Sequence, residues 1–529
     1  MAVKVVISDK FAKKGLEVFA KHPDIELDYC PGLSPEELTP KLADAEGWIV
    51  RSATKATAPL ITAGPKLKAI GRAGIGVDNI DSAAATAAGI LVMNTPGENA
   101  VTTAEHSIAM LMAAARRIPQ ACASLKSGKW EKNKFTGVEL RGKTLGVLGL
   151  GNVGSVVARC GLALGMKVIA NDPFVTADRA ESMGVELSEF DDLLARSDFL
   201  TIHAPKTKNT IGLFNRETFS KMKTGAVLIN CARGVIVDEE ALLEALRSGK
   251  LSAAALDVFA QEPVTSHPLF ELENVVVTPH LGASTIEAQD AVCVAVAEQI
   301  IAFLKHGIIT NAVNAPSLSA DIREKAEPSL RLAEKLGKFQ GQLLDRPVEE
   351  IHVLYAGDIA SLPLKLLTMT ALQGIAARLT DRFVNIVNVQ DVMKEKGIRL
   401  IENTTDRMDE YANLIGITVR FADGASRMIH GVLAESREIR IVRIDSWQTS
   451  AEADGHLLII QNRDVPGVVG AVGNLLGSKG VNIANLRLSR DRKKAEALMM
   501  VNIDDPVNEE ILAQLRGLPN ILTVHLVEL

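Results

Sequence analysis

The sequence predicts an α/β protein of several domains, and three observations predict it. Runs of β-branched residues alternate with helical patterns from residue 3 to about residue 280, the rhythm of repeated βαβ units and hence of parallel sheets. A chain of 529 residues exceeds what one hydrophobic core organises, so roughly two to four domains are expected. The final segment changes rhythm to strand, helix, strand, strand, helix, strand, which predicts a small antiparallel sheet carrying two helices on one face.

In chain order, Val3 to Ser8, Gly47 to Val50, Lys68 to Gly71 and Ile90 to Asn94 read as strands, and Phe11 to Lys21 as a helix. A long helix from about Asn99 to Arg117 leads through polar Lys126 to Gly137 into a second strand-helix series ending near His280. The Ala-rich stretch Ala283 to Phe303 reads as another long helix. Asn311 to Ser319, with Pro316 and two serines, reads as a linker. From about 320 to 455 the pattern is mixed α+β, with helices at Leu364 to Arg378 and Asp391 to Lys396 and strands at Ile415 to Phe421 and Ile439 to Ile444. No catalytic motif is evident there. The last segment places strands at His456 to Ile460, Val481 to Ser489, Ala495 to Asp504 and Ile521 to Val527, with helices at Gly467 to Lys479 and Glu509 to Gly517.

Hydrophobic residues make up 47% and charged residues 23%, which excludes a mainly disordered chain. A net charge of −6 and a pI near 6.0 give no overall footprint for nucleic acid or an anionic membrane, while a local cationic pocket stays open. The five cysteines, Cys30, Cys122, Cys160, Cys231 and Cys293, are widely spaced and form no CxxC pair. They fit reduced buried thiols, with neither a bound metal nor a disulfide framework indicated. The apolar run from Val3 to Ile7 is too short for a secretory signal, and no stretch reaches transmembrane length, so a cytoplasmic protein is expected.

Lys143 to Leu148 is a strand that runs into Gly149-Leu150-Gly151-Asn152-Val153-Gly154, which opens the helical pattern Ser155 to Gly165. This is GxGxxG in the context that gives it meaning. Gly149 permits the tight turn, Gly151 lets the backbone approach a pyrophosphate, and Gly154 lets helix and strand pack closely, while the helix N-terminus attracts phosphate. The next strand, Lys167 to Asn171, ends in Asp172, whose carboxylate suits ribose hydroxyls and repels a 2′-phosphate. A Rossmann-type domain binding NAD rather than NADP is therefore predicted.

Three further motifs follow in chain order: Asn230-Cys231-Ala232-Arg233-Gly234, Asp257-Val258-Phe259-Ala260-Gln261-Glu262-Pro263, and Pro279-His280-Leu281-Gly282-Ala283. Each follows a strand-like run, which puts its polar residues at carboxyl ends of sheet strands, where open α/β folds bind ligands. Together they make a complete set for hydride transfer at a 2-hydroxy acid. His280 can take the C2 hydroxyl proton, Glu262 can fix its tautomer, and the guanidinium of Arg233 can hold a substrate carboxylate. Taken singly, a histidine, a glutamate before a proline and an arginine each have ordinary structural roles. In order, behind a dinucleotide fingerprint, they read as one site.

These motifs resemble those of the D-isomer-specific 2-hydroxy-acid dehydrogenase family over about residues 1–313. The resemblance implies a catalytic set at Arg233, Glu262 and His280. It also implies cofactor contacts at Asn152, Val153, Asp172, Cys231, Ala232, Arg233, Asp257, and His280 to Ala283 with Gly282, beside Gly149, Gly151 and Gly154. Ala204 stands where relatives carry a threonine, so a side-chain hydroxyl contact is lost there. A flavodoxin-like substrate domain is implied, made of 1–98 and 283–313, around an NAD-binding domain of 99–282.

In the first lobe, Arg51-Ser52-Ala53-Thr54 and Arg72-Ala73-Gly74-Ile75-Gly76-Val77-Asp78-Asn79 each follow a strand. Gly74, Ile75 and Gly76 suit a backbone nest for the substrate carboxylate, and Arg51 and Arg72 suit a distal phosphate or, alternatively, a solvated surface. Both motifs, and Asn94 to Asn99, resemble members of the family that act on 3-phosphoglycerate. The resemblance also makes Trp130, Lys132 and Lys134 candidates for an intersubunit or substrate contact, a polar loop being the other reading. His456 to Gly467 and Gly480 to Ile483 resemble the ACT domain, a βαββαβ ferredoxin-like module covering 456–529. That resemblance implies L-serine as an effector at Asn462, Asp464 and Asn482, in a homo-oligomer, dimer or tetramer; a purely structural pairing module is the other reading. The 314–455 region is similar to the intervening domain of long family members. Two further readings stay open: a glyoxylate or hydroxypyruvate reductase, for which Arg51 and Arg72 would be irrelevant, and an NAD-sensing binding protein.

Overall fold

The computed structural model describes residues 2–317, 320–406, 411, 413–434, 438–491 and 495–529. Four sheets account for the architecture. The first contains five parallel strands in the spatial order Ile25–Tyr29, Val3–Ile7, Gly47–Val50, Ala69–Arg72, Leu91–Met93. In chain numbering this is 2-1-3-4-5, the flavodoxin-like order. Its central strands, such as Gly47–Val50, are buried along their whole length because helices cover both faces, which is why they read as continuous apolar runs. The 21-residue helix Ile286–His306 returns to this sheet, and Val296 and Ile300 fill the space above Gly71 and Gly47.

The second sheet has seven parallel strands in the order Val275–Val277, Leu251–Leu256, Ala226–Asn230, Phe199–Ile202, Thr144–Leu148, Lys167–Asn171, Glu186–Leu187. Counted from Thr144–Leu148, the order is 3-2-1-4-5-6-7, so the chain reverses direction between Thr144–Leu148 and Phe199–Ile202. Ligands of open α/β sheets bind in the crevice at such a switch point. The 17-residue helix Ala100–Arg116 connects the two sheets and buries Ala104, Ser107 and Leu111 against the second.

The third sheet is mixed. Val348–Gly357 pairs parallel with Arg399–Thr405 and antiparallel with Asn413–Phe421, and three further antiparallel strands follow. The sequence pattern gives no warning of the 23-residue helix Ala320–Gln342 that covers it. This helix lies against Leu364–Ala376 at backbone distance: a Cβ on Gly337 would stand 2.0 Å from the Ala371 carbonyl, and one on Gly374 2.4 Å from the Lys338 nitrogen. The fourth sheet is antiparallel in the order Ile483–Asp491, Glu496–Ile503, His456–Arg463, Ile521–Glu528, with the helices Val468–Ser478 and Glu509–Arg516 on one face. Its other face joins the third sheet in one core that contains Leu457, Ile459, Met500 and Val527 beside Trp447 and Ala451.

Two expectations need correction. Asn311 to Asn314 is not free linker: Asn94 N donates to Asn311 O, Val313 N to Val92 O, and Val92 N to Asn314 Oδ1 at 2.8 Å. The edge strand Leu91–Met93 would otherwise leave its backbone groups unpaired, and this segment pairs them. Leu318 and Ser319 of the expected linker lie outside the described residues. The cysteines are not uniformly buried either: Cys231 and Cys293 are, Cys30 and Cys160 are half-buried, and Cys122 is exposed on a helix without a buried face. Among the described residues no helix is long and apolar enough to cross a membrane.

Candidate active site

The glycine loop closes over the switch point. Gly149 has φ +89, and its amide donates to Asn171 O. A Cβ at Gly154 would stand 1.9 Å from the Gly149 carbonyl, so the helix Asn152–Ala163 can lie on its strand only with glycine there. At Gly151, by contrast, nothing lies within 4 Å of a Cβ position, and this residue caps the helix whose first members are Asn152 and Val153. Open space at a helix N-terminus is what a pyrophosphate needs. Asp172 accepts from Leu150 N at 2.7 Å and from Phe174 N at 2.9 Å, which sets its carboxylate beside the loop at the end of the neighbouring strand. These residues fit a dinucleotide.

His280 and Glu262 meet: Nδ1 lies 2.6 Å from Oε2, and Oε1 accepts from Phe259 N at 2.9 Å. Burial pushes the Glu262 carboxyl up, but the bonds from His280 and the Phe259 amide outweigh it and hold it below the usual carboxylate range. His280 adopts φ +55, an uncommon conformation for a residue with a side chain, so its surroundings must over-determine it. They do so through Asp257. His280 N donates to the Asp257 carbonyl, and the fully buried Asp257 carboxylate accepts from Leu281 N, Gly282 N and the Thr278 hydroxyl at 2.7, 2.8 and 2.5 Å. His106 adds a contact at 3.2 Å. Burial raises the Asp257 carboxyl, and the His106, Thr278 and Leu281 bonds together bring it below its ordinary value. Asp257 therefore holds up the 280–283 turn.

The turn after Ala226–Asn230 is pinned by Asn230, whose Oδ1 accepts from Ala232 N and whose Nδ2 donates to Arg233 O, both at 3.0 Å. Cys231 turns its side chain into the core, where burial pushes the thiol up to about 12, so any contribution to cofactor binding there is made by backbone. A Cβ on Gly234 would stand 1.9 Å from Phe259 C, so the loops bearing Arg233 and Glu262 pass in backbone contact. Arg233 reaches the other lobe: its Nε lies 3.1 Å from Asp78 Oδ2, and its Nη2 would stand 2.1 Å from a Cβ on Gly76.

Arg72 runs beneath Gly74, with Nη1 1.5 Å from where a Cβ would be, and donates to Ala73 O. Its Nε is buried with no partner among the described residues, and burial followed by the charges of Arg233 and Arg51 lowers its pKa to about 10. Arg233 and Arg51 thus add to the positive charge around a buried Arg72, and Asp78 and Asp9 offset it only in part, which makes an anion site. Arg51 is held by the buried Asp9, which accepts from Arg51 N and from Thr54 N and Oγ1, and by Asn79, which donates to Arg51 O at 2.6 Å. The expected nest needs one correction. The Gly74 amide donates to Thr95 Oγ1 at 2.8 Å, so only the Ile75 and Gly76 amides have no acceptor among the described residues. The roles of Asp9, Asn79, Asp78, Thr95, Thr278 and His106 all escape the sequence reading. Asp78, Asn79, Thr95 and Thr278 stand inside or beside recognised motifs, but nothing in their spacing shows what they hold.

The three C-terminal candidates each have a protein contact of their own. Asn462 is buried and donates to Arg463 O, its Oδ1 having no partner among the described residues, Asp464 pairs with Arg490 at 2.7 Å, and Asn482 donates to Asp504 at 2.6 Å. No hydrogen bond links the three. Trp130 is exposed, and Lys134 pairs with Glu273 at 3.1 Å.

A Rossmann sheet with a glycine loop, an acid at the end of its second strand and a His–Glu pair on loops packed against the turn that follows Arg233 defines an NAD-dependent oxidoreductase of the 2-hydroxy-acid class. Comparison with known proteins agrees. The model of the D-isomer specific 2-hydroxyacid dehydrogenase NAD binding domain matches residues 108–282, that of the D-3-phosphoglycerate dehydrogenase intervening domain 325–445, and that of the ACT domain 456–520. Among solved structures, D-lactate dehydrogenase from Aquifex aeolicus, complexed with NAD and lactic acid, is 30% identical, with a TM-score of 0.52 over 59% of this chain and all of its own. A glyoxylate reductase from Paecilomyes thermophila is 29% identical, with a TM-score of 0.54 over 59% of this chain and 98% of its own. Two relatives match from end to end: D-3-phosphoglycerate dehydrogenase of Archaeoglobus fulgidus, 42% identical over 100% of both chains, and that of Bacillus subtilis, 40% identical over 99% of both. The chain belongs to the D-3-phosphoglycerate dehydrogenase family.

Proposed function

We propose that the protein oxidises 3-phospho-D-glycerate to 3-phosphooxypyruvate, with His280, Glu262 and Arg233 as its catalytic set. The carrying observation is that Arg72 and Arg233 close on the Gly74–Gly76 backbone, whose Ile75 and Gly76 amides have no acceptor among the described residues, while the loop that follows Arg233 packs against the one that carries Glu262, bonded to His280. NAD, when bound on the glycine loop, supplies the acceptor for the hydride leaving C2. His280 takes the C2 hydroxyl proton on Nε2, since Nδ1 is committed to Glu262. The Glu262 carboxylate stabilises the imidazolium that results. Arg233 holds the substrate carboxylate together with the two amides, and Arg51 and Arg72 take the phosphate. Placing the cleft between two lobes lets closure exclude water while charge moves.

The division into a discontinuous substrate domain, an NAD-binding domain, an intervening domain and an ACT domain goes with this reading, and the four sheets support it. So does a cytoplasmic homo-oligomer with Asn462, Asp464 and Asn482 answering L-serine, for which the ACT match and five free cysteines speak. The test is NADH oxidation with 3-phosphooxypyruvate, hydroxypyruvate and glyoxylate side by side. A preference for the phosphorylated substrate, abolished by Arg72→Ala, is expected; equal turnover of all three by both proteins refutes the assignment. For the effector, calorimetry with L-serine and D-serine on wild type and Asn482→Ala is decisive, and no heat with L-serine removes it.

A further inference from the structure

One carboxylate bridges the two faces of the cleft. Asp78 Oδ2 lies 3.1 Å from Arg233 Nε, and its Oδ1 lies 3.6 Å from Lys206 Nζ. Among the described residues these are the only ion pairs that join the five-stranded lobe to the seven-stranded one; Lys14–Asp290 and Lys305–Asp24, for example, stay within the first. The bond to Arg233 is also selective. Arg233 Nη1 donates to Ala232 O at 2.7 Å, and Nε is taken by Asp78, so Nη2 is left facing the Gly76 backbone, beside the two amides that have no acceptor. A long side chain on a turn has many rotamers, and fixing it in one is costly without a partner that holds a defined edge of the guanidinium. Arg233 and Arg51 disfavour the charge on Arg72, and the Asp78 carboxylate opposes them. The adjacent Asn79 holds the Arg51 loop through Arg51 O and Thr54 O at 2.6 and 2.7 Å, so this dipeptide touches both ends of the anion site.

We infer that Asp78 is a positioning residue for the reaction: it fixes Arg233 so that Nη2 meets the substrate carboxylate, and through Lys206 it clasps the two lobes across the cleft. The inference rests on the reading that Arg233 takes that carboxylate. In this reading Arg233 also polarises the C2 oxygen, where charge develops in the transition state, so loss of Asp78 should act on kcat more than on KM. Asp78 and Lys206 are half-exposed, and an asparagine replaces the carboxylate without a change of shape.

The experiment uses the full chain with NADH and 3-phosphooxypyruvate. Asp78→Asn is expected to lower kcat by about tenfold or more, with KM and the NADH dissociation constant within about twofold of wild type. Asp78→Glu is expected to recover most of the lost rate. Lys206→Met should lower kcat by about threefold and add little in the double variant, because both residues act through one carboxylate. A kcat for Asp78→Asn within about threefold of wild type, a parallel loss of NADH affinity, or full additivity with Lys206→Met overturns the inference. Should Asp78→Asn fail to fold, the Lys206→Met and Asp78→Glu rates decide, wild-type values for Lys206→Met and no activity for Asp78→Glu being the refuting pair. Inertness of wild type toward 3-phosphooxypyruvate would instead sink the proposed function, whereas an inactive Arg233→Ala beside a normal Asp78→Asn would sink only this inference.

Discussion

Gly151 and Gly154 lie three residues apart, and the structure assigns them different work, so alanine should separate cofactor approach from helix packing. At Gly154 the new methyl would stand 1.9 Å from the Gly149 carbonyl and 3.3 Å from Val147 Cγ1. Ordinary contact needs about 3.5 Å, so the helix Asn152–Ala163 would have to withdraw by about 1.5 Å. Overpacking of this kind costs about 1–3 kcal/mol. For a domain of this size that lowers Tm by about 2–12 °C, and NADH affinity should fall as the helix N-terminus shifts. At Gly151 a methyl meets nothing within 4 Å, and φ −72 is open to alanine, so Tm should stay within about 2 °C. The same methyl projects where the pyrophosphate approaches, and the overpacking cost is then met only in the complex, as an NADH dissociation constant raised about 5- to 150-fold. Scanning calorimetry and NADH fluorescence titration read the two effects independently. Wild-type NADH binding by Gly151→Ala, or an unchanged Tm for Gly154→Ala, refutes the reasoning.

Glu262→Gln removes a charge-assisted bond of 2.6 Å to His280 and should lower kcat by about 10- to 150-fold, the equivalent of about 1.5–3 kcal/mol. Because the folded Glu262 carboxyl titrates below its reference of 4.5, its stabilising contribution should be complete above pH 4.5 and disappear as pH falls through the folded value. Unfolding of wild type and variant by urea at pH 7 and pH 3 checks this, a constant difference being the refuting result. Arg72→Met should raise Tm while raising KM for 3-phosphoglycerate at least about tenfold, because burial and the neighbouring guanidinium groups lower the Arg72 pKa to about 10, which represents about 3 kcal/mol of disfavoured charge. That cost is present at every pH below about 10, where the folded group is cationic, and a lower Tm for the variant at pH 7 would show that Arg72 stabilises the fold.

Local pattern alone determined a good deal about this protein. The strand, glycine turn and helix from Thr144 to Ala163, the acid at Asp172, and the C-terminal βαββαβ order are short-range features, written in neighbouring residues by apolar periodicity and by the steric needs of single glycines. The chain order of Arg233, Glu262 and His280 was legible for the same reason: each closes a recognisable strand. Tertiary structure decided whatever depends on two distant segments meeting. Asp78 has no visible purpose until the fold lays it against Arg233, 155 residues on, and Asp9 looks like any acid after a strand until it closes on the Arg51 loop. Asp257 shows nothing in its motif of the 281–282 amides that its buried carboxylate holds beneath His280. Asn311 to Asn314 reads as linker from composition, but an edge strand needed its backbone. In each case the determining quantity was a buried polar group that had to find a partner, and hydrogen-bond satisfaction inside a fold is set by three-dimensional neighbours that periodicity along the chain does not encode.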